Sequence, residues 1–144
     1  MKVAVNVQCD LAVDEKVLKK ACLKAMRAEG ARRDAVLSLS AVDRKYIQEL
    51  NFQYLGIKEP TDVMAFRMNE DSAEGFLLGD VIICPEVIEQ NKEQYAVREG
   101  REIEFVAVHG VLHLLGYEDD STEGMMRMDR RQRKILGLRE GEAP

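Results

Sequence analysis

Valine recurs at every second position near the N-terminus, at Val3, Val5 and Val7, with small or polar residues between. That period of two predicts a half-buried strand. The period then lengthens: from Asp14, a good helix N-cap, Val17, Leu18, Ala21, Cys22, Ala25 and Met26 follow helical spacing until Gly30 supplies a stop. Residues 35–40 form a β-favouring run, and Val42, Tyr46, Ile47, Leu50 and Tyr54 make a second helical stripe ending at Gly56. Pro60-Thr61-Asp62 punctuates the chain before a strand over residues 63–68, which the polar, acidic stretch 68–75 predicts to leave into a loop. Residues 76–84 read as a near-continuous apolar strand whose interior Gly79-Asp80 implies a bulge or a close backbone approach.

The second half is helical. Pro85 suits the first position of a short helix through residue 96, and residues 98–115 read as a longer one with apolar residues around most of its circumference, hence buried. Asp120 with Glu123 resembles a capping box opening a last helix that Gly137 ends, and residues 139–144 are expected to fray. Strands and helices intermingle without repeat or linker. The pattern predicts one α+β domain over residues 1–144, with about four strands in a mixed sheet and about five helices around it.

Composition narrows the setting. A chain of 144 residues, 46% hydrophobic, is the size of one domain with a substantial core. No stretch approaches the roughly 20 apolar residues of a membrane span and no signal-peptide core is present, so a soluble cytoplasmic protein without a membrane partner is expected. Cys9, Cys22 and Cys84 are odd in number, lack CxxC spacing and read as buried thiols in a reducing compartment. The net charge of −5 argues against coating nucleic acid by bulk positive charge, though not against a local basic groove.

The chemistry concentrates in one stretch, His109-Gly-Val-Leu-His113-Leu-Leu-Gly116-Tyr-Glu-Asp119, which holds both histidines of the chain. Four residues apart on a helix, the imidazoles share one face, as two ligands of one metal do. Hydrogen-bonded core histidines are the plainer reading of that spacing. Against it, burying two imidazoles is costly without a partner, and Gly116 can end the helix and return Asp119 as a third ligand. Two nitrogens and a carboxylate leave a coordination position open, the arrangement of a catalytic zinc site. The spacing also matches the metzincin peptidase frame, but the general-base Glu of that frame is Gly110 here, so a peptidase is disfavoured.

The same residues resemble the signature of the YbeY endoribonuclease family, His-Gly-x-Leu-His-Leu-x-Gly-Tyr-Asp-His. Leu50-Asn51 with Tyr54, Pro60-Thr61-Asp62-Val63-Met-Ala-Phe66 and Leu78-Gly79-Asp80 resemble further blocks of that family, in the same order. The resemblance implies a four-stranded sheet flanked by helices, a zinc ion on the metal site, and cleavage of single-stranded RNA. It further implies 16S rRNA 3′-end maturation and ribosome quality control, with the 16S precursor, the ribosome and ribosomal proteins as partners and no DNA.

Two residues depart from the family pattern. Asp119 stands where the third ligand is His, which lowers the charge of the site by one unit and leaves room for Mn²⁺ or Ni²⁺ in place of Zn²⁺. Leu55 stands where many members carry an Arg suited to a phosphate oxygen. Candidates to replace it are Arg67, Arg98 and Arg101, with the cluster Arg127, Arg130, Arg131, Arg133 and Lys134 more simply read as a solvated helix face. Asp62 and Arg67 are the candidate catalytic residues, although Asp62 suits a turn cap equally well and Asp80 reads as structural. The alternative to an enzyme is an RNA- or ribosome-binding maturation factor in which the metal is chiefly structural.

Overall fold

A computed structural model describes residues 1–139. Among them are four strands and six helices in the order β1 (Lys2–Gln8), α1 (Glu15–Ala28), β2 (Ala35–Val42), α2 (Arg44–Leu55), β3 (Val63–Ser72), β4 (Gly75–Ile83), α3 (Pro85–Gln90), α4 (Lys92–Tyr95), α5 (Glu102–Leu114) and α6 (Thr122–Leu136). The chain is an α+β domain built on one mixed sheet in the order β1-β2-β4-β3. β1, β2 and β4 run parallel, and β3 returns antiparallel along the edge of β4.

The alternation of β2 sets the two faces. Ala35, Leu37, Leu39 and Ala41 are fully buried and pack with α1, α5 and α6 in the main core. A smaller cluster, Val42, Ile47, Met64, Cys84 and Val87, gathers α2 and α3 at the carboxyl ends of the parallel strands. Asp14 caps α1, accepting from the Val17 N–H at 3.1 Å, as its position in the sequence predicts. Cys22 and Cys84 are buried and Cys9 is partly so; all are free thiols, and burial pushes that of Cys22 up to about 12.

Four expectations need correction. The segment 68–75 is not a loop: β3 continues to Ser72, bulges between Arg67 and Glu70 with Asn69 at φ 49°, and turns tightly into β4. Its polar side chains suit an exposed edge strand, which charge protects from pairing with other chains. The helix expected over 86–96 is two, broken at Asn91. The long helix starts at Glu102, not residue 98, because Gly100 takes φ 91° and its N–H goes to Glu102 Oε1 at 2.9 Å. The last helix is capped by Ser121, whose hydroxyl accepts from Gly124 N at 3.0 Å, rather than by Asp120. Residues 140–144 of the tail lie outside the described residues.

Two glycines set how closely the histidine-bearing helix and its sheet approach. The expected irregularity at Gly79 is both a register shift against β2 and a close approach, since a Cβ there would lie 2.1 Å from the Phe66 carbonyl oxygen. Gly110 lets α5 sit on β4, where a Cβ would lie 2.5 Å from a Val81 methyl. Gly79→Ala must move a strand backbone and adopt an unfavourable φ of +146°, so it should cost about 2–5 kcal/mol in urea unfolding. Gly110→Ala meets a side chain that can turn, and should cost about 1–3 kcal/mol. The opposite order of cost would contradict this packing.

Candidate metal centre

α5 is apolar nearly all round, with Phe105, Val106, Val108, Val111 and Leu112 buried, yet His109 and His113 keep one partly open side. The helix ends in a Schellman turn. Gly116 at φ 105° donates its N–H to His113 O at 3.1 Å, and Tyr117 N donates to Leu112 O at 3.0 Å. The turn carries Asp119 back over the helix end, and there its Oδ2 lies 3.1 Å from His113 Nε2 and 3.4 Å from His109 Nε2. The two Nε2 atoms are themselves 3.1 Å apart.

The outer nitrogens decide what this triangle means. His113 Nδ1 lies 3.0 Å from the main-chain carbonyl of Tyr117, which can only accept, so that nitrogen carries the proton. His109 Nδ1 faces Gln132 Oε1 at 3.3 Å. The Gln132 amide is oriented by its Nε2, which donates to Phe105 O at 2.9 Å. With the proton on Nδ1, each ring turns its Nε2 lone pair toward the other ring and toward a carboxylate oxygen. Three acceptors converge with no donor among them. A tetrahedral ion with roughly 2.0–2.1 Å bonds would set its ligands about 3.3 Å apart, close to the three separations here. The donor set fits a divalent cation, and the ring-orienting oxygens are the supports that histidine ligands need.

Burial and the neighbouring His113 hold His109 below the ordinary histidine range, outweighing the raising effects of Gln132, Asp119 and Asp62. Asp62 stands at the same site, where its Oδ2 accepts from the Tyr95 hydroxyl at 2.7 Å. Arg67 donates to His113 O at 2.7 Å and leaves the rest of its guanidinium without a partner among the described residues. Two clefts meet at His109, Asp119, Asp62 and Val63. One, of about 630 Å³, runs between α2 and β3 past Tyr54, Leu55 and Arg67. The other, of about 430 Å³, runs between α4 and α6 past Tyr95, Met125 and Met126.

The remaining cationic candidates are mostly occupied elsewhere. Arg101 binds Glu104 and the Leu136 carbonyl, Arg127 pairs with Glu123, and Arg130 and Lys134 are exposed. The solvated-face reading fails for Arg133, which is buried against Asp129, three carbonyls and the Phe105 ring. Arg98 sits in the turn before α5. The sequence reading missed Gln132, Tyr95 and Glu29. Glu29, at the end of α1, accepts from the Tyr117 hydroxyl and from Arg131, and so pins the turn that carries Asp119. For Gln132 a signal existed: it falls on the buried stripe of α6 with Met128, Ile135 and Leu136.

An α+β domain that presents two imidazoles and a carboxylate from one helix and its following turn, at the meeting of two clefts, offers a group that could hold one metal ion. Comparison with known proteins supplies the family. Residues 4–139 match the family model described as Endoribonuclease YbeY. The chain is 40% identical over 140 residues to an Endoribonuclease YbeY of Pelotomaculum thermopropionicum, covering 92% of each chain. To one of Moorella thermoacetica it is 39% identical, covering 93% of this chain and 96% of that one. Its fold is shared with the solution structure of TM1509 from Thermotoga maritima at a TM-score of 0.60 and 24% identity, covering 94% and 89%. The chain belongs to the endoribonuclease YbeY family. No helix among the described residues is long and apolar enough to cross a membrane.

Gln132→Leu removes the acceptor that orients His109 while keeping much of the side chain's bulk, and should weaken Zn²⁺ affinity about 10–100-fold by calorimetry; unchanged affinity would show that the amide does not set the ring. Because His109 is depressed in the folded chain, the unfolded chain binds the proton more tightly below about pH 6.5, and metal-free stability should fall as pH drops through that point. His109→Gln should flatten part of that slope in urea unfolding between pH 7.5 and 5, and an unaltered slope would count against the depressed histidine.

Proposed function

We propose that this chain is a metal-dependent endoribonuclease of single-stranded RNA, with one divalent ion, Zn²⁺ in the first instance, held by His109, His113 and Asp119. The observation that carries this reading is the convergence of two Nε2 lone pairs and a carboxylate oxygen within 3.1–3.4 Å of one another. The names of the relatives support the reaction class, as endoribonucleases. When bound, such an ion supplies polarisation of a phosphoryl oxygen and a lowered pKa for water. The carboxylate in place of a third imidazole makes that lowering smaller and leaves Mn²⁺ or Ni²⁺ as alternatives.

The chain's own groups divide the rest of the work. Arg67, at the wall of the larger cleft, stands where its free N–H groups meet a backbone phosphate, replacing the guanidinium absent at Leu55. Tyr95 holds one oxygen of Asp62, and the other can accept a proton or orient a ribose hydroxyl beside the metal site. The peptidase reading stays disfavoured, because Gly110 stands where that frame carries its general-base glutamate. The role proposed with it is cytoplasmic maturation of the 16S rRNA 3′ end and ribosome quality control, with the precursor and the ribosome as partners, a reading that membership of the family supports.

One observation favours the alternative of an RNA-binding factor with a mainly structural metal. Leu55 is 65% exposed at the cleft and offers a phosphate nothing. The test separates the two. A single-stranded RNA oligonucleotide should be cut by the Zn²⁺-loaded protein, survive the chelator-stripped protein, and be cut again after reloading. Asp119→Ala and His109→Ala should cut at least about 100-fold more slowly, beyond the loss expected from an outer-shell partner. Cleavage indifferent to metal and to Asp119 would remove the proposal, and RNA binding without any cleavage would favour the alternative.

A further inference from the structure

We propose that the cleft between α4 and α6 is a nucleobase subsite, which packs the base of the nucleotide on one side of the scissile phosphate against the thioethers of Met125 and Met126. The inference rests on the endoribonuclease reading and goes beyond it. An enzyme that cuts within a chain must hold nucleotides on both sides of the reacting phosphate, and this site opens on two sides through shared His109, Asp119 and Asp62.

The two clefts differ in chemistry. The cleft between α2 and β3 offers Arg67 and the tilted pair Tyr54–Phe66, with ring centroids 4.9 Å apart. The cleft between α4 and α6 has one cationic side chain in its lining, Arg133. That guanidinium is already engaged with both oxygens of Asp129 and with the carbonyls of Tyr95, Ala96 and Arg139. No charge is left over to attract a phosphate. The wall is instead largely apolar, from Phe105, Val106 and the two methionines, and the carboxylates of Asp62, Asp119 and Asp129 beside them would repel a phosphate. An uncharged flat ring suits it.

Met125 and Met126 are 58% and 51% exposed at the start of α6, whose core contacts come from Met128, Ile135 and Leu136. Packing of the fold does not require the pair. A thioether is polarisable and flexible, and it meets an aromatic ring of any base favourably, so the subsite would register the presence of a base more than its identity. A volume of about 430 Å³ lies within the roughly 300–1,000 Å³ of small-molecule sites and takes one nucleoside rather than a run of them.

Two arms test this on the Zn²⁺-loaded full chain. With methyl-¹³C methionine and signals assigned through M125L and M126L, AMP and UMP should shift the Met125 and Met126 methyls upfield, while buried Met64 and Met128 stay and ribose 5-phosphate has no effect. Equal shifts from ribose 5-phosphate, or silent methyls at millimolar nucleotide, would overturn the proposal. In the second arm, an abasic residue on the side of the cleaved bond that this cleft serves should slow cleavage about 10-fold. The doubly substituted Met125→Ala, Met126→Ala protein should cut intact and abasic RNA at equal rates. Upfield methyls without any RNA cleavage would keep base binding in the cleft but sink the endoribonuclease reading and, with it, the place of that base beside a scissile phosphate. Intact and abasic RNA cut equally by the unsubstituted protein would sink the subsite and leave that reading standing.

Discussion

With each ring protonated on Nδ1, two Nε2 atoms 3.1 Å apart and a carboxylate oxygen beside both repel one another unless something positive lies between them. A proton on Nε2 would resolve the repulsion only by making an imidazolium, because His113 Nδ1 already donates to the Tyr117 carbonyl, and burial opposes that charge at His109. A cation satisfies all three acceptors at once. The surrounding elements serve to keep that arrangement in place. Gly110 brings α5 onto β4, the turn at Gly116 presents both Asp119 and the Tyr117 carbonyl, and α6 delivers Gln132 to the other ring. The first turn of α6 rests on the Glu118 carbonyl, where a Cβ at Gly124 would stand 2.4 Å away, so cap and ligand loop are packed as one unit.

An acidic chain acting on a polyanion has to localise its attraction. The formal charge of −5 makes long-range steering of RNA weak, so affinity must come from a few contacts near the site. Three arginines near the site hold the fold together: Arg131 secures Glu29, Arg133 binds the α4 end to α6, and Arg101 closes on the end of α6. Arg67 is different, since it touches the candidate metal site through the His113 carbonyl and lines the cleft. Aromatic and thioether surfaces around both clefts then supply contacts that need no charge.

The centre of the site was legible in the sequence because its geometry is local. Helical spacing places His109 over His113, and a glycine three residues on is enough to turn the chain. Its supports were not legible. Gln132 lies 23 residues from His109, Tyr95 lies 33 from Asp62, and Glu29 lies 88 from Tyr117, pairings set by packing and not by any period. The end of β3 was misread for a related reason: hydrophobic alternation reports burial, and an exposed edge strand keeps its hydrogen bonds while losing that pattern. The start of α5 was misplaced because the stripe of apolar residues says nothing of Gly100, whose φ of 91° ends the preceding turn.

The account stands most directly on the protonation and ligation of two rings, and the chain contains no other histidine to obscure them. A long-range proton–nitrogen correlation spectrum of the metal-free protein, repeated with Zn²⁺ added to one equivalent, reads all four ring nitrogens. The expected result is two Nδ1–H tautomers whose Nε2 signals both move on adding Zn²⁺ and stop moving at one ion per chain. Rings protonated on Nε2, or Nε2 signals that Zn²⁺ leaves in place, would contradict it.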